Sequence, residues 1–195
     1  SIGFVTGGEI SQPLTQEKSN SGKHGTTIKY KLDPEVYTET KYNKETIEDI
    51  VRHYAVGSNK VTIDFTFNGE TESYHYDSLI DYYEEMIGAT GTSSVSFGES
   101  MMFDDAGEKT EMSIALSTTT EVFQESYLNL TYLSQGGKIN EGIINGVKLY
   151  ANKYCRSNKL FPKNVSSFSD VDVEESISFV AVAFSNKVEF ENQTK

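Results

Sequence analysis

The sequence predicts an α+β fold, and two patterns along the chain carry that prediction. Residues 44–86 contain a helical pattern, a β-hairpin pattern and a second helical pattern in succession. Residues 94–184 contain three strand patterns, then a long helical pattern, then a nearly all-apolar run. Strands grouped ahead of a helix, in place of a strict strand–helix alternation, are typical of α+β proteins.

The first 43 residues are mostly polar, with one predicted strand. Gly7-Gly8 and residues 15–25 predict loops, because glycine and small polar residues favour turns. Residues 26–32 place apolar side chains at alternate positions, which predicts a strand. Asp33-Pro34 ends that strand, since proline has no N–H to donate to a ladder.

A helix, a hairpin and a second helix follow. Residues 44–55 are amphipathic at helical spacing, with Asn43 as the N-cap and Gly57 just past the end. Asn68-Gly69 predicts a tight hairpin turn between strands 61–67 and 71–76. Ser78 caps the second helix. The apolar face of that helix is Leu79, Tyr82, Tyr83 and Met86.

The small residues 88–92 predict a boundary, and a strand-rich region follows them. Its three predicted strands, with a turn at 104–107 between the first two, are 94–99, 110–118 and 123–133. Gly136-Gly137 separates the third strand from a long helix. The buried stripe of that helix is predicted to be Ile143, Val147, Tyr150, Ala151 and Tyr154. Residues 177–184 are nearly all apolar and predict a central strand covered on both faces.

Composition excludes several classes of protein. The chain has no run of about 18 apolar residues, so no membrane span is predicted. Its first residues lack a signal peptide pattern, and one cysteine, Cys155, allows no internal disulfide. We therefore expect a cytoplasmic protein. A net charge of -12 is unlike that of an autonomous nucleic-acid binder, because DNA phosphates repel acidic surfaces.

The chain as a whole is acidic, but residues 138–163 contain six basic residues and one acidic residue. One interpretation is a solvated helix face and its following loop. The other is a surface that faces DNA delivered by another part of a larger protein. The candidate DNA-facing residues are Lys148, Lys153, Arg156, Lys159 and Lys163.

Residues 25–35 resemble a segment of the ATPase subunits of gyrase and topoisomerase IV, in which a Gly-Thr pair opens a strand. Gly25-Thr26 takes that position here, and Tyr37 takes the position of an aromatic residue that follows the strand. Gly136-Gly137 and the helix after it are similar to the Gly-Gly-Thr-His segment of the same family. Lys138-Ile139 replaces Thr-His, so no role is carried onto those two residues.

The end of the chain, Gln193-Thr194-Lys195, resembles the family's Gln-Thr-Lys loop. These pieces occur in the family's order and spacing over nearly the whole chain. The chain is thus similar to the ATPase subunit of type IIA DNA topoisomerases. Its divergent Gly-Gly segment and long acidic loops point within that group to the large subunit of a T4-like phage enzyme, which acts in the host cytoplasm.

The resemblance implies a particular fold. Residues 1–79 would be the C-terminal part of a Bergerat (GHKL) ATPase domain. Residues 80–195 would be the transducer, or coupling, domain, of ribosomal protein S5 domain 2-like fold. The resemblance also implies a left-handed β-α-β crossover in the second domain, which is rare in general.

The resemblance assigns ATP-binding roles to four residues: Gly25, Thr26, Gln193 and Lys195. The Thr26 hydroxyl suits an adenine edge and its ordered water. Gln193 and Lys195 would reach the γ-phosphate of ATP, so that hydrolysis frees the second domain to rotate. Without the resemblance, Thr26 is a strand-initiating residue and Lys195 a frayed terminus.

The resemblance also implies cofactors and partners. They are ATP and Mg²⁺, a second copy of the subunit, the DNA-cleavage subunit and double-stranded DNA. The family's general-base Glu, Mg²⁺-binding Asn and Asp-x-Gly-x-Gly motif belong upstream of this sequence. We therefore expect this chain alone neither to hydrolyse ATP nor to bind it well, and no metal site is predicted from His24, His53 and His75.

Two alternatives stay open. A MutL-like mismatch-repair ATPase would share both domains, although the Gln-Thr-Lys ending argues against it. A non-enzymatic β-rich binding module of a phage would have a closed core of its own. The topoisomerase interpretation instead predicts an exposed apolar face in the first part of the chain, where upstream strands should pair.

Overall fold

The computed structural model describes residues 1–16, 22, 24–58, 61–90, 97–105 and 107–188. The chain divides into two compact units, Ser1–Asn43 and Lys44–Lys195. The domain boundary predicted between residues 79 and 80 stays a prediction.

The first unit contains a small antiparallel pair of strands. β1 (Gly3–Phe4) and β2 (Ile10–Gln12) flank a tight turn at Thr6–Gly8. Gly7 and Gly8 both have positive φ, 81° and 79°, which a glycine adopts without strain. The loop predicted at Gly7-Gly8 is confirmed, and the two short strands beside it were not predicted.

The strand predicted at residues 26–32 was wrong. That segment has no ladder partner among the described residues, and Ile28 is 82% exposed. Alternating apolar residues make a strand only where a neighbouring strand supplies hydrogen bonds. No described residue of the first unit is buried, and its apolar side chains lie open. The exposed apolar face predicted for the first domain, residues 1–79, stays a prediction, since residues 44–79 belong to the second unit.

The second unit begins with the predicted helix, hairpin and helix. α1 spans Lys44–Gly57, β3 Ile63–Phe67, β4 Glu70–Tyr74 and α2 Leu79–Thr90. The hairpin turn has positive φ at both central residues, Asn68 (51°) and Gly69 (91°), as a type I′ turn requires. Ser78 Oγ accepts from the Asp81 N–H at 3.3 Å, and the Asp81 carboxylate accepts from the Ser78 N–H at 2.9 Å, which confirms the cap.

A five-stranded mixed sheet forms the centre of the second unit. Its strands are β5 (Phe97–Asp105), β6 (Glu108–Thr118), β7 (Gln124–Leu128), β8 (Thr131–Tyr132) and β9 (Ile177–Ser185). The strand order is β5-β6-β9-β7-β8, with β7 and β9 parallel and the other neighbours antiparallel. β9 is central and residues 177–183 are all buried, which confirms that prediction.

The predicted third strand, 123–133, is two strands. Asn129 and Leu130 both have positive φ, 48° and 66°, and turn the chain so that Leu128 pairs with Thr131. The sequence did not indicate this turn, because β-turns of this kind favour Asn and Gly at both central positions and Leu130 occupies one of them. The first strand, predicted at 94–99, extends to Asp105, and its predicted first residues lie outside the described ranges.

Helices cover both faces of the sheet. α1, the hairpin and α2 pack on one face, where Tyr83, Ala115, Tyr127 and Val180 are fully buried. α3 (Lys138–Ser157) and the short α4 (Asp170–Glu174) pack on the other, around Phe179 and Ala181. The chain from β7 to β9 crosses by way of α3, and the parallel pairing of these strands agrees with a β-α-β crossover.

Candidate functional site

Gly25 and Thr26 lie in an exposed, non-repetitive segment of the first unit. A Cβ added to Gly25 would meet no atom within 4 Å, so a ligand can approach this backbone freely. Their adenine-binding role stays a prediction. The same unit has an open concavity of about 800 Å³, whose lining includes Phe4, Tyr30 and Leu32.

Gln193 and Lys195 lie outside the described residues, so their contacts with a phosphate stay a prediction. β9 is the last described strand before these residues, and side-chain hydrogen bonds hold its C-terminal end. Asn129 Nδ2 donates to the Ser185 carbonyl at 3.0 Å, and the Ser185 N–H donates to Asn129 Oδ1 at 2.9 Å. Asn186 Nδ2 donates to the Gly107 carbonyl at 3.0 Å. The chain therefore leaves β9 from a fixed position.

The start of α3 depends on two glycines. Gly136 has φ 68°, and a Cβ there would lie 2.4 Å from Asn140 Nδ2. Gly137 is the N-cap with φ 71° and ψ -151°, a conformation almost confined to glycine. Ser126 Oγ donates a short hydrogen bond to Asn140 Oδ1, which ties the first turn of α3 to β7.

The candidate DNA-facing residues divide into two groups. Lys148 is paired with Asp170, with 2.5 Å between Nζ and Oδ1, and the Arg156 Nε–H donates to the Ser166 carbonyl at 3.2 Å. The other three are exposed, and none forms an ion pair within the part of the chain that the structure describes: Lys153, Lys159 and Lys163. The structure brings these three to one end of α3 and its following loop.

The stripe predicted for α3 was partly wrong. Ile143 is buried and Val147 is partly buried, but Tyr150 is 71% exposed and Tyr154 52% exposed. The buried residues of α3 are Ile143 and Ile144, in the first half of the helix, so its packed stripe ends before the last turns. The two tyrosine rings stack on each other with 6.2 Å between centroids, beside Lys153. This end of α3 thus exposes aromatic rings among cations.

Sequence reasoning missed a group of buried and partly buried ionisable side chains on the opposite face of the sheet. Tyr82 and Tyr127 donate hydrogen bonds to Glu125, and His53 stacks on Tyr132. Burial, together with the Glu125 charge, raises the pKa of Tyr82 and of Tyr127, so both hydroxyls stay protonated donors. These residues come from four elements, and no motif spacing links them in the sequence.

His75 occupies the loop between β4 and α2. Its Nδ1 lies 3.3 Å from the Val61 carbonyl oxygen and its Nε2 lies 3.1 Å from Asp77 Oδ1. The hydrogen bond to Val61 and then the Asp77 carboxylate raise the pKa of His75, because both oxygens favour the doubly protonated ring.

No helix among the described residues is both long and apolar enough to cross a membrane. No group of three or more His, Cys, Asp or Glu side chains in the described ranges is placed to hold a metal ion.

Solved structures of known proteins have the same fold as this chain. The 43K ATPase domain of Thermus thermophilus gyrase B, solved with an aminocoumarin, superposes with a TM-score of 0.67 at 18% identity. The match covers 94% of this chain and 51% of that one. The ATP-binding domain of Francisella tularensis topoisomerase IV gives a TM-score of 0.64 at 18% identity, over 84% of this chain and 44% of that one. The fold is therefore the one found in the ATPase regions of type IIA topoisomerases.

Sequence comparison identifies the family. The family model described as DNA gyrase B matches residues 35–195, so the chain belongs to the DNA gyrase B family. The gyrase B protein of Streptococcus pneumoniae is 26% identical over 183 residues, and that of Enterococcus faecalis is 28% identical over 182 residues. These matches cover 90% and 89% of this chain, and the chain spans 28% of the length of each relative. These bacterial relatives give no support to a T4-like phage origin, which stays a prediction.

Proposed function

We propose that this chain is the coupling part of an ATP-hydrolysing type II DNA topoisomerase, which passes one duplex through a transient break in another. The family match over residues 35–195 carries the proposal. It also favours the topoisomerase over the MutL-like ATPase and over a non-enzymatic binding module. Intact, the protein would act in the cytoplasm with a second copy of itself, a DNA-cleavage subunit and duplex DNA.

Four residues of this chain would contact ATP in this proposal. Gly25 and Thr26 would contact adenine, and Gln193 and Lys195 would contact the γ-phosphate. The resemblance of Gln193-Thr194-Lys195 to the family's Gln-Thr-Lys loop supports the second assignment, together with the family match over residues 35–195. Hydrolysis removes the phosphate that Lys195 contacts, and the binding energy that held the tail in place is lost with it.

In this proposal the intact protein binds magnesium together with ATP, and no magnesium ligand is assigned to this chain. The ion would neutralise phosphate charge during hydrolysis. This chain's own contribution is the cation and the amide at its far end, which bind the terminal phosphate directly. By itself the chain would therefore be inactive.

The exposed end of α3 is proposed to face the transported DNA. Lys153, Lys159 and Lys163 have no ion-pair partner among the described residues, so their charge is available to phosphates. The stacked Tyr150 and Tyr154, on the same helix as Lys153, add exposed aromatic surface to this end of α3. Lys148 contributes less, because Asp170 neutralises it.

The test is relaxation of supercoiled plasmid by the full-length protein with its cleavage subunit. The topoisomerase predicts a change of linking number that requires ATP. A MutL-like protein predicts ATP hydrolysis with no change of linking number, and a binding module predicts neither activity. Either of the last two results overturns the proposal.

A further inference from the structure

A buried carboxylate joins elements that lie on either side of the proposed boundary at residues 79 and 80. Glu125, on β7, faces α1 and α2, and its side chain is 11% exposed. Its Oε2 accepts hydrogen bonds from Tyr82 at 2.9 Å and from Tyr127 at 2.6 Å. A buried carboxylate must keep such donors, because losing them leaves a charge without solvent or partner.

α1 contributes a histidine to the same group. His53 Nε2 lies 3.9 Å from Glu125 Oε1. The His53 ring stacks on Tyr132 with 4.3 Å between centroids and an interplanar angle of 24°. Its edge also meets Tyr127 at 5.7 Å. One side chain of α1 therefore contacts three residues of β7 and β8.

A second contact joins the C-terminal end of α1 to the sheet. A Cβ on Gly57 would lie 3.0 Å from Leu130 Cδ2, so the last turn of α1 lies directly against the β7–β8 turn. A larger residue at position 57 would have to displace Leu130. The histidine contact and this glycine contact lie one helical turn apart on α1, which makes them a single docking surface.

We infer that Glu125 is a positioning residue that latches α1 to the coupling sheet. This inference rests on the proposed function, in which α1 and the sheet belong to different domains and rotate relative to each other during ATP turnover. Such a rotation must carry the His53–Glu125 and His53–Tyr132 contacts along or separate them together. The hydrogen bonds from Tyr82 and Tyr127 hold the Glu125 carboxylate in position for the contact with α1, because both donors belong to α2 and β7.

Hydrogen exchange on this chain tests the latch independently of ATP. Glu125→Gln removes the charge that Tyr82, Tyr127 and His53 face. We expect amides of residues 44–57 to exchange about tenfold faster, the factor that corresponds to one lost hydrogen bond to a charged group. Glu111→Gln, on an exposed position of β6, is the matched control and should leave those amides unchanged. Equal exchange in the two variants overturns the inference.

A second variant covers the case in which Glu125→Gln unfolds the chain. Tyr82→Phe keeps the carboxylate and removes one of its donors. The latch predicts faster exchange in α1 while the amides of β9 keep their protection. Faster exchange in β9 and α1 alike shows that Tyr82 supports the whole core, and that result also contradicts a local latch.

The full-length protein shows whether the latch serves coupling. Glu125→Gln should still hydrolyse ATP but complete about tenfold fewer strand passages per ATP, following the same free-energy difference. A purely structural defect lowers both activities in proportion, and that outcome overturns the inference. If the unaltered protein relaxes no DNA, the proposed function fails, and the hydrogen-exchange result still decides whether the latch exists.

Discussion

At the scale of single residues, buried polar side chains hold this fold in one arrangement. The Tyr83 hydroxyl is fully buried, donates to the Ser178 carbonyl at 2.9 Å and lies 2.7 Å from Ser117 Oγ. Ser178 Oγ in turn accepts from the Phe123 N–H at 2.8 Å. α2 is thereby joined to three neighbouring strands or their ends. Burial raises the pKa of Tyr83, so this donor keeps its proton at neutral pH.

Tyr83→Phe should lower the free energy of unfolding by about 1–3 kcal/mol, because it leaves the Ser178 carbonyl and the Ser117 hydroxyl short of a buried partner. Denaturant unfolding of the two proteins measures the difference. Tyr150→Phe makes the same chemical change at an exposed ring and should shift stability by less than about 0.5 kcal/mol. Equal effects of the two substitutions would contradict the role given to the Tyr83 hydroxyl.

His75 predicts a pH dependence of stability. Its folded-state pKa is raised by the Val61 carbonyl and the Asp77 carboxylate, so its contribution is complete below the unfolded-state pKa. That contribution is lost as pH rises through the folded-state value. His75→Asn should therefore lower the melting temperature more at about pH 5 than at about pH 8. His24→Asn, at an exposed position of the other unit, is the control. A difference that grows toward high pH would show that the sign is wrong.

At the scale of elements, the sequence could predict structure where the residue types themselves favour the local backbone conformation. The β3–β4 hairpin was predicted because Asn68-Gly69 accepts positive φ at both turn positions. The β7–β8 turn was missed because Leu130 takes the same conformation against its own preference. The predicted buried face of α3 was too long. Helical spacing shows which residues share a face, but it does not show where neighbouring elements stop covering that face. The group of side chains around Glu125 could not be predicted either, because its residues come from elements that meet only in the folded protein.

The Gly136-Gly137 pair should be indispensable to the start of α3. Gly136→Ala introduces a Cβ 2.4 Å from Asn140 Nδ2 at a φ of 68°, so we expect a loss of about 2–4 kcal/mol in unfolding free energy. Gly142→Ala, inside the same helix with open space at the Cβ, should gain about 0.5–1 kcal/mol from helix propensity. Thermal unfolding followed by circular dichroism measures both. A neutral Gly136→Ala would show that the backbone there is not constrained.

The exposed end of α3 carries a prediction about DNA. Changing Lys153, Lys159 and Lys163 together to Glu should weaken duplex binding by the full-length protein and flatten its dependence on salt, because three phosphate contacts are lost. Lys148→Glu is the control for charge alone, since Asp170 already neutralises Lys148. Binding measured at several salt concentrations separates the two. An unchanged salt slope in the triple variant contradicts a DNA-facing surface.

At the scale of the whole molecule, the two units differ in how complete they are. The second unit has a sheet covered on both faces, with two buried clusters. The described residues of the first unit bury no side chain, and apolar residues such as Ile28 and Tyr30 lie open. The packed core of the described residues therefore lies in the second unit. The predicted ATP-binding residues Gly25 and Thr26 belong to this open unit.

In the proposed function, Lys195 ties the state of the nucleotide to the movement of the coupling domain. ATP-dependent relaxation of supercoiled DNA by the full-length protein carrying Lys195→Ala tests this role, with ATP binding measured on the same sample. We expect the relaxation rate to fall by about 10³-fold or more with nucleotide still bound, as when a cation at the γ-phosphate is removed. Relaxation at the unaltered rate would show that Lys195 does not couple the nucleotide to movement.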